Sequence, residues 1–226
     1  MSQSQRFDSQ YEEPSPYSSA VGPTAGNGPP ARPPSTPVDV GTRPVTKDQR
    51  VITLILMVGL PGAGKTTRAK ELAMTYHALR LTPDHWMIPL FGESMADGKR
   101  FVLEGRLISV ALQALRLRTS VVLDFGLWGR DERSALRWLA GASGAACRVV
   151  YLPVDKDVQL ARIAGRQETA PHQTFSMSEA DVDQWRKQFQ VPDAGELDGG
   201  EIPGPPADWP GWPEWAADHW PSCTDS

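Results

Sequence analysis

Cysteine is scarce in these 226 residues: Cys147 and Cys223 are the only two, and they lie far apart. That argues against a disulfide framework or a cysteine-rich metal site and suits a reducing interior. His77, His85, His172 and His219 show no metal-ligand spacing either. No stretch approaches the roughly 20 apolar residues that span a membrane. The opening MSQSQRFDSQYEEPSP lacks the apolar core of a secretory signal. These gaps predict a cytoplasmic protein without a membrane partner. A basic excess is missing as well, with a net charge of −4, which disfavours a general nucleic-acid binder. No internal repeat is visible.

Proline is sparse only in the middle. Nine of the 21 prolines fall in residues 1–50, five in 51–190 and seven in 191–226. Regular structure avoids proline, so the middle reads as the folded domain. Residues 191–226 carry eight acids and no Lys or Arg, while residues 1–50 balance at five of each sign. The middle is left at +4, enough to hold a polyphosphate. The expected organisation is a disordered Ser/Pro/Gly-rich tail over 1–48, a domain over 49–196 and an acidic Pro/Trp-rich tail over 197–226. Trp209, Trp212, Trp215 and Trp220 are unusual for disorder and imply packing, either on the domain or on a partner.

What is present centres on 51–67, VITLILMVGLPGAGKTT. Gly59-Leu60-Pro61-Gly62-Ala63-Gly64-Lys65-Thr66 fills every fixed position of the G-x-x-x-x-G-K-[ST] phosphate loop, between a buried-strand pattern and a helix-compatible run. Gly59, Gly62 and Gly64 let the backbone turn its N–H groups inward at phosphate oxygens. Lys65 can reach the β- and γ-phosphates, the Thr66 hydroxyl can ligate Mg²⁺, and the helix start near Thr67 adds its positive end. Pro61 and Ala63 complete the loop. The reading is a site for ATP with Mg²⁺.

Further strands are predicted over 78–81, 120–124 and 146–152, and helices over 101–117, 131–140, 155–166 and 178–190. Ser178 and Asp181 form a variant capping box for the last of these. Strand and helix alternate, which implies an α/β fold with a parallel sheet.

Other positions decide between an ATPase and a transferase. Asp124 ends an apolar strand, where a second acid reaches Mg²⁺ directly or through water; the alternative is a helix cap. Asp84 follows Pro83 at the end of the second strand and can accept the proton of an attacking hydroxyl, or simply start a turn. Arg162 and Arg166 share a helix face and precede a polar, flap-like stretch at 167–177, so they stabilise transferring phosphate or merely solvate the helix. Arg130 and Arg133 either face an acceptor pocket or cap a helix start. Trp86 and Trp128 fall in predicted loops beside the site, to stack on a substrate or pack in the core.

Together Gly59-x4-Gly64-Lys65-Thr66, Thr82-Pro83-Asp84-x-Trp86, Leu123-Asp124-Phe125-Gly126-x-Trp128-x-Arg130-x-x-Arg133 and Arg162-x3-Arg166 resemble the small P-loop kinases often called AAA family ATPases. Chloramphenicol phosphotransferase, zeta toxin and phage polynucleotide kinase are characterised relatives of that group. The resemblance spans about 51–196 and implies a five-stranded parallel sheet of nucleotide-kinase order with a helical lid. It also implies Asp84 as base, Lys65 and Thr66 on ATP and Mg²⁺, and Arg162 and Arg166 in the lid. Phage polynucleotide kinase carries an arginine three residues after its base, where this chain has Met87. A small-molecule hydroxyl is therefore the expected acceptor, ahead of a polynucleotide or tRNA end, on a monomer or homodimer. A non-transferring nucleotide switch is the remaining alternative.

Overall fold

A computed structural model describes residues 51–92, 98–169 and 177–223. The tail expected over 1–48 and most of the flap expected over 167–177 lie outside those residues. The chain runs β1 (Thr53–Val58), α1 (Lys65–Tyr76), β2 (Leu79–Leu81), α2 (Asp84–Phe91), α3 (Lys99–Arg116), β3 (Val121–Gly126) and α4 (Arg130–Ala142). It continues through β4 (Ala146–Tyr151), α5 (Lys156–Thr169), α6 (Glu179–Gln188), α7 (Ala194–Leu197), α8 (Trp212–His219) and a single 3₁₀ turn, Pro221–Cys223.

All strand pairs are parallel, in the order β2-β3-β1-β4. β1 is central and buried throughout. Its alternate side chains feed opposite faces: Leu54, Leu56 and Val58 join the larger core with α3 and α4, while Ile55 and Met57 join Ala69 and Leu72 of α1. This two-sided burial explains why the strand reads as a continuous apolar run.

The sheet has four strands among the described residues, which corrects the expected five. The fifth strand came from the family resemblance alone. After α6 the chain carries Pro192, Pro203, Pro205, Pro206 and Pro210, none of which can donate to a ladder. It passes β4 as α7 and irregular backbone instead.

The tryptophan-rich segment packs on the domain itself. Trp212, Trp215 and Trp220 are buried in the larger core, with Trp215 edge-on to Trp212 at 5.7 Å and to Trp220 at 5.4 Å. α8 lies against α4, and the closing 3₁₀ turn lies against α3. There Ser222 Oγ donates to the Val102 carbonyl at 2.7 Å, and a Cβ on Gly105 would collide with that hydroxyl. The predicted capping box of α6 is present: Ser178 Oγ accepts from the Asp181 N–H and Asp181 Oδ2 from the Ser178 N–H, at 3.2 and 2.8 Å.

Candidate active site

The loop between β1 and α1 is shaped by close approach. At Gly59 a Cβ would stand 2.8 Å from the Leu152 carbonyl oxygen. Gly62 has φ +81° and a Cβ there would meet the Gln159 carbonyl oxygen at 3.3 Å. Both positions therefore demand glycine. The Gly59 N–H donates to the Gly126 carbonyl at 3.1 Å, tying the loop to the end of β3. Arg162 Nη1 donates to the Gly62 carbonyl at 3.0 Å, which braces the loop from α5.

A cavity of about 500 Å³ opens over this loop. Pro61, Gly62, Gly64, Lys65, Thr66 and Thr67 line it, whereas Gly59 and Ala63 shape the loop from behind. Lys65 Nζ donates to the Leu60 carbonyl at 2.9 Å. Burial pulls its ammonium down to about 8, against the opposing pull of Asp124 and Asp84. Arg166 and Arg100 push it the same way as burial, so four charged side chains act on one amine.

Asp84, Asp124, Arg166 and Trp128 also line the cavity, so the structure brings together the predicted base, second acid, one lid arginine and one tryptophan. Asp84 is the first residue of α2, its carboxylate two-thirds exposed (67%) and 2.9 Å from Arg100 Nη1. Asp124 is buried, and its Oδ2 accepts from Arg80 Nη2 at 2.7 Å and Nε at 3.2 Å. Thr66 and Asp124 offer a hydroxyl and a carboxylate on the same wall, hard oxygen donors of the kind Mg²⁺ selects. No group of three or more His, Cys, Asp and Glu side chains suited to a metal occurs among the described residues.

Three predicted residues lie elsewhere. Arg133 is fully buried: its Nε and Nη2 grip Glu196 at 2.7 and 3.0 Å, and its Nη1 donates to the Leu127 and Trp128 carbonyls. Arg130 pairs with Asp193 at 2.9 Å. Neither lines the cavity: Arg130 fastens the start of α4, and Arg133 anchors the Trp128 backbone from behind. Trp86 sits on α2, a helix where a loop was expected, and is about half exposed outside the cavity lining. Met87 is fully buried, so the guanidinium beside Asp84 comes from Arg100 instead.

Arg100, Glu132 and Trp185 line the cavity without having been singled out. Glu132 reaches back to the Gly129 N–H at 3.3 Å, as the third-position carboxylate of a capping box does. Burial pushes its carboxyl up to about 7, more than the Gly129 hydrogen bond and the Arg133 charge hold it down. Its spacing from Gly129 was the available signal, muted because glycine carries no capping side chain.

A family model described as AAA domain matches residues 54–192. A solved candidate kinase of Chloroflexus aurantiacus j-10-fl is 20% identical with TM-score 0.52, covering 69% of this chain and 86% of its own. A chain of the Pnkp1/Rnl/Hen1 RNA repair complex is 17% identical with TM-score 0.50, covering 63% of this chain and 45% of its own. At these identities the likenesses describe the fold. No curated protein matches the sequence. No helix among the described residues is long and apolar enough to cross a membrane. With its phosphate loop, its parallel β2-β3-β1-β4 sheet and the match over 54–192, the chain belongs to the AAA domain family and has a small P-loop kinase-like fold.

Proposed function

We propose that the protein transfers the γ-phosphate of ATP to a hydroxyl of a small molecule. The observation that carries this reading is Asp84: a solvent-reachable carboxylate on the same cavity as Lys65, held 2.9 Å from Arg100. Besides Asp124, Asp84 gives the cavity a carboxylate able to receive the proton of an attacking hydroxyl, and the Asp84→Asn variant tells an acceptor hydroxyl from water. Lys65, the loop N–H groups and Arg166 would hold the phosphates, and Arg162 would keep the loop in shape through Gly62. Mg²⁺ held by Thr66 and Asp124 would neutralise phosphate charge. Asp84 would take the proton of the acceptor hydroxyl as its oxygen bonds to the γ-phosphorus and ADP leaves with the bridging oxygen.

The test is Asp84→Asn, with nucleotide affinity and transfer measured on the same protein. Transfer should drop by about 100-fold or more, the scale of a lost general base, while nucleotide affinity stays within about threefold. Normal transfer by Asp84→Asn would remove Asp84 from the reaction.

A further inference from the structure

The cavity lining is of two chemical kinds. One kind is polar, the phosphate loop with Lys65, Thr66 and Arg166. The other is aromatic, a wall of Phe125 and Trp128, from the end of β3 and the turn after it, and Trp185 from α6. The Trp128 and Trp185 ring centroids are 6.0 Å apart with planes tilted by 52°. All three rings are only partly buried, so each leaves face or edge toward the cavity.

We propose that this wall is the acceptor subsite and takes a small alcohol bearing an aromatic ring. The inference rests on the phosphotransfer reading for its direction. An in-line displacement puts the attacking and leaving groups on opposite sides of the γ-phosphorus. Asp84 follows β2, and Phe125 and Trp128 belong to the end of β3, its neighbour in the sheet; Trp185, although on α6 after β4, meets Trp128 at 6.0 Å and so joins the rings on the Asp84 side. The acceptor therefore approaches over the aromatic wall, on the side of Asp84.

The composition of the wall selects the class. A polyol must replace each of its water hydrogen bonds on entry. Among the described residues, the wall beyond Asp84 and Arg100 offers three aromatic rings with Leu127 and Met177, against Glu132 and Gln188 as polar groups. An aromatic ring gains from such a surface by stacking or edge contact. The wall is also held in place. Arg133 Nη1 and the Gln190 N–H both donate to the Trp128 carbonyl, at 3.0 and 3.1 Å. The cavity of about 500 Å³ falls within the usual range for small-molecule sites.

The experiment is saturation-transfer NMR with the full-length protein and a Mg²⁺ complex of a non-hydrolysable ATP analogue. The probes are 2-phenylethanol, tyrosol, glycerol, gluconate and a short 5′-hydroxyl oligothymidylate. The two aromatic alcohols should bind and the others should not. Trp185→Leu should weaken the aromatic alcohols by about tenfold or more, and Trp185→Phe should restore them to within about threefold, since a ring is retained. Thermal unfolding checks each variant, and Trp185→Phe keeps the comparison readable if Trp185→Leu does not fold. Binding of glycerol, gluconate or the oligothymidylate in place of the aromatic alcohols overturns the subsite, as does an absence of all binding. Equal aromatic binding by a folded Trp185→Leu overturns it too. So does an equal loss of ATP-analogue affinity in that variant, which would make the wall a nucleotide site. If the aromatic alcohols bind with this Trp185 dependence but no label passes from ATP, the subsite stands and the phosphotransfer reading falls.

Discussion

Lys65 carries the pH dependence of nucleotide binding. Its amine titrates at about 8 in the free protein because burial outweighs Asp124 and Asp84. A bound polyphosphate favours the ammonium and raises that value, so binding takes up a proton once the pH exceeds about 8. Affinity should be flat below that pH and fall by up to about tenfold per unit above it. Calorimetry in two buffers of different ionisation enthalpy, near neutrality and above pH 8, reads the proton uptake directly; Lys65→Met should abolish it. Glu132 ties stability, not binding, to pH. Its folded value of about 7 lies above the usual 4.5, so the folded state holds the extra proton between those two values. Stability is lost as pH rises through that window, by roughly 1–2 kcal/mol after allowance for partial solvent access. Glu132→Gln keeps a capping acceptor and should flatten that slope in denaturant titrations at the two ends of the window. Among single residues, the places of Lys65, Thr66, Asp84 and Asp124 on one cavity were legible because each occupies a fixed place after a strand. Those of Arg100 and Glu132 were not, since they follow from contacts with Asp84 and Gly129 and not from any motif.

At the scale of elements, the Arg133–Glu196 pair fastens α7 to the start of α4 and to the Trp128 turn. Both partners are buried, so removing one leaves the other charged and unpaired. Glu196→Ala should cost about 3–5 kcal/mol in chemical denaturation, and Arg133→Met combined with Glu196→Leu should cost clearly less. Sequence could not choose between a pocket-facing and a structural Arg133, because its partner stands 63 positions away. The strands were legible from their apolar runs. α2 was not: Thr82-Pro83-Asp84 reads as the end of a strand, and the same proline, with its fixed φ, precedes the first helical residue. The fifth strand failed because a family pattern was extended into a proline-rich stretch that cannot pair.

At the scale of the molecule, the C-terminal segment is part of the core. Trp212, Trp215 and Trp220 are each at most 5% exposed, and truncating a buried aromatic costs about 3–5 kcal/mol. Three such losses rival the roughly 5–15 kcal/mol that hold a whole domain. A chain ending at residue 196 should therefore show no cooperative thermal transition under conditions where the full chain shows one. A packing signal was present in the sequence: Trp209, Trp212 and Trp215 recur every third position, close to one helical turn. Composition masked it, because acids and prolines surround the tryptophans.

Label transfer from ATP puts phosphotransfer by Lys65 and Asp84 to the test. Wild type, Lys65→Ala and Asp84→Asn would be incubated with γ-labelled ATP, Mg²⁺ and pooled hydroxyl compounds, including aromatic alcohols, sugars and 5′-hydroxyl oligonucleotides. The account predicts a labelled small-molecule product with wild type, lost in both variants, while Asp84→Asn still binds nucleotide. Free phosphate as the only labelled product, released equally by wild type and Asp84→Asn, would contradict it.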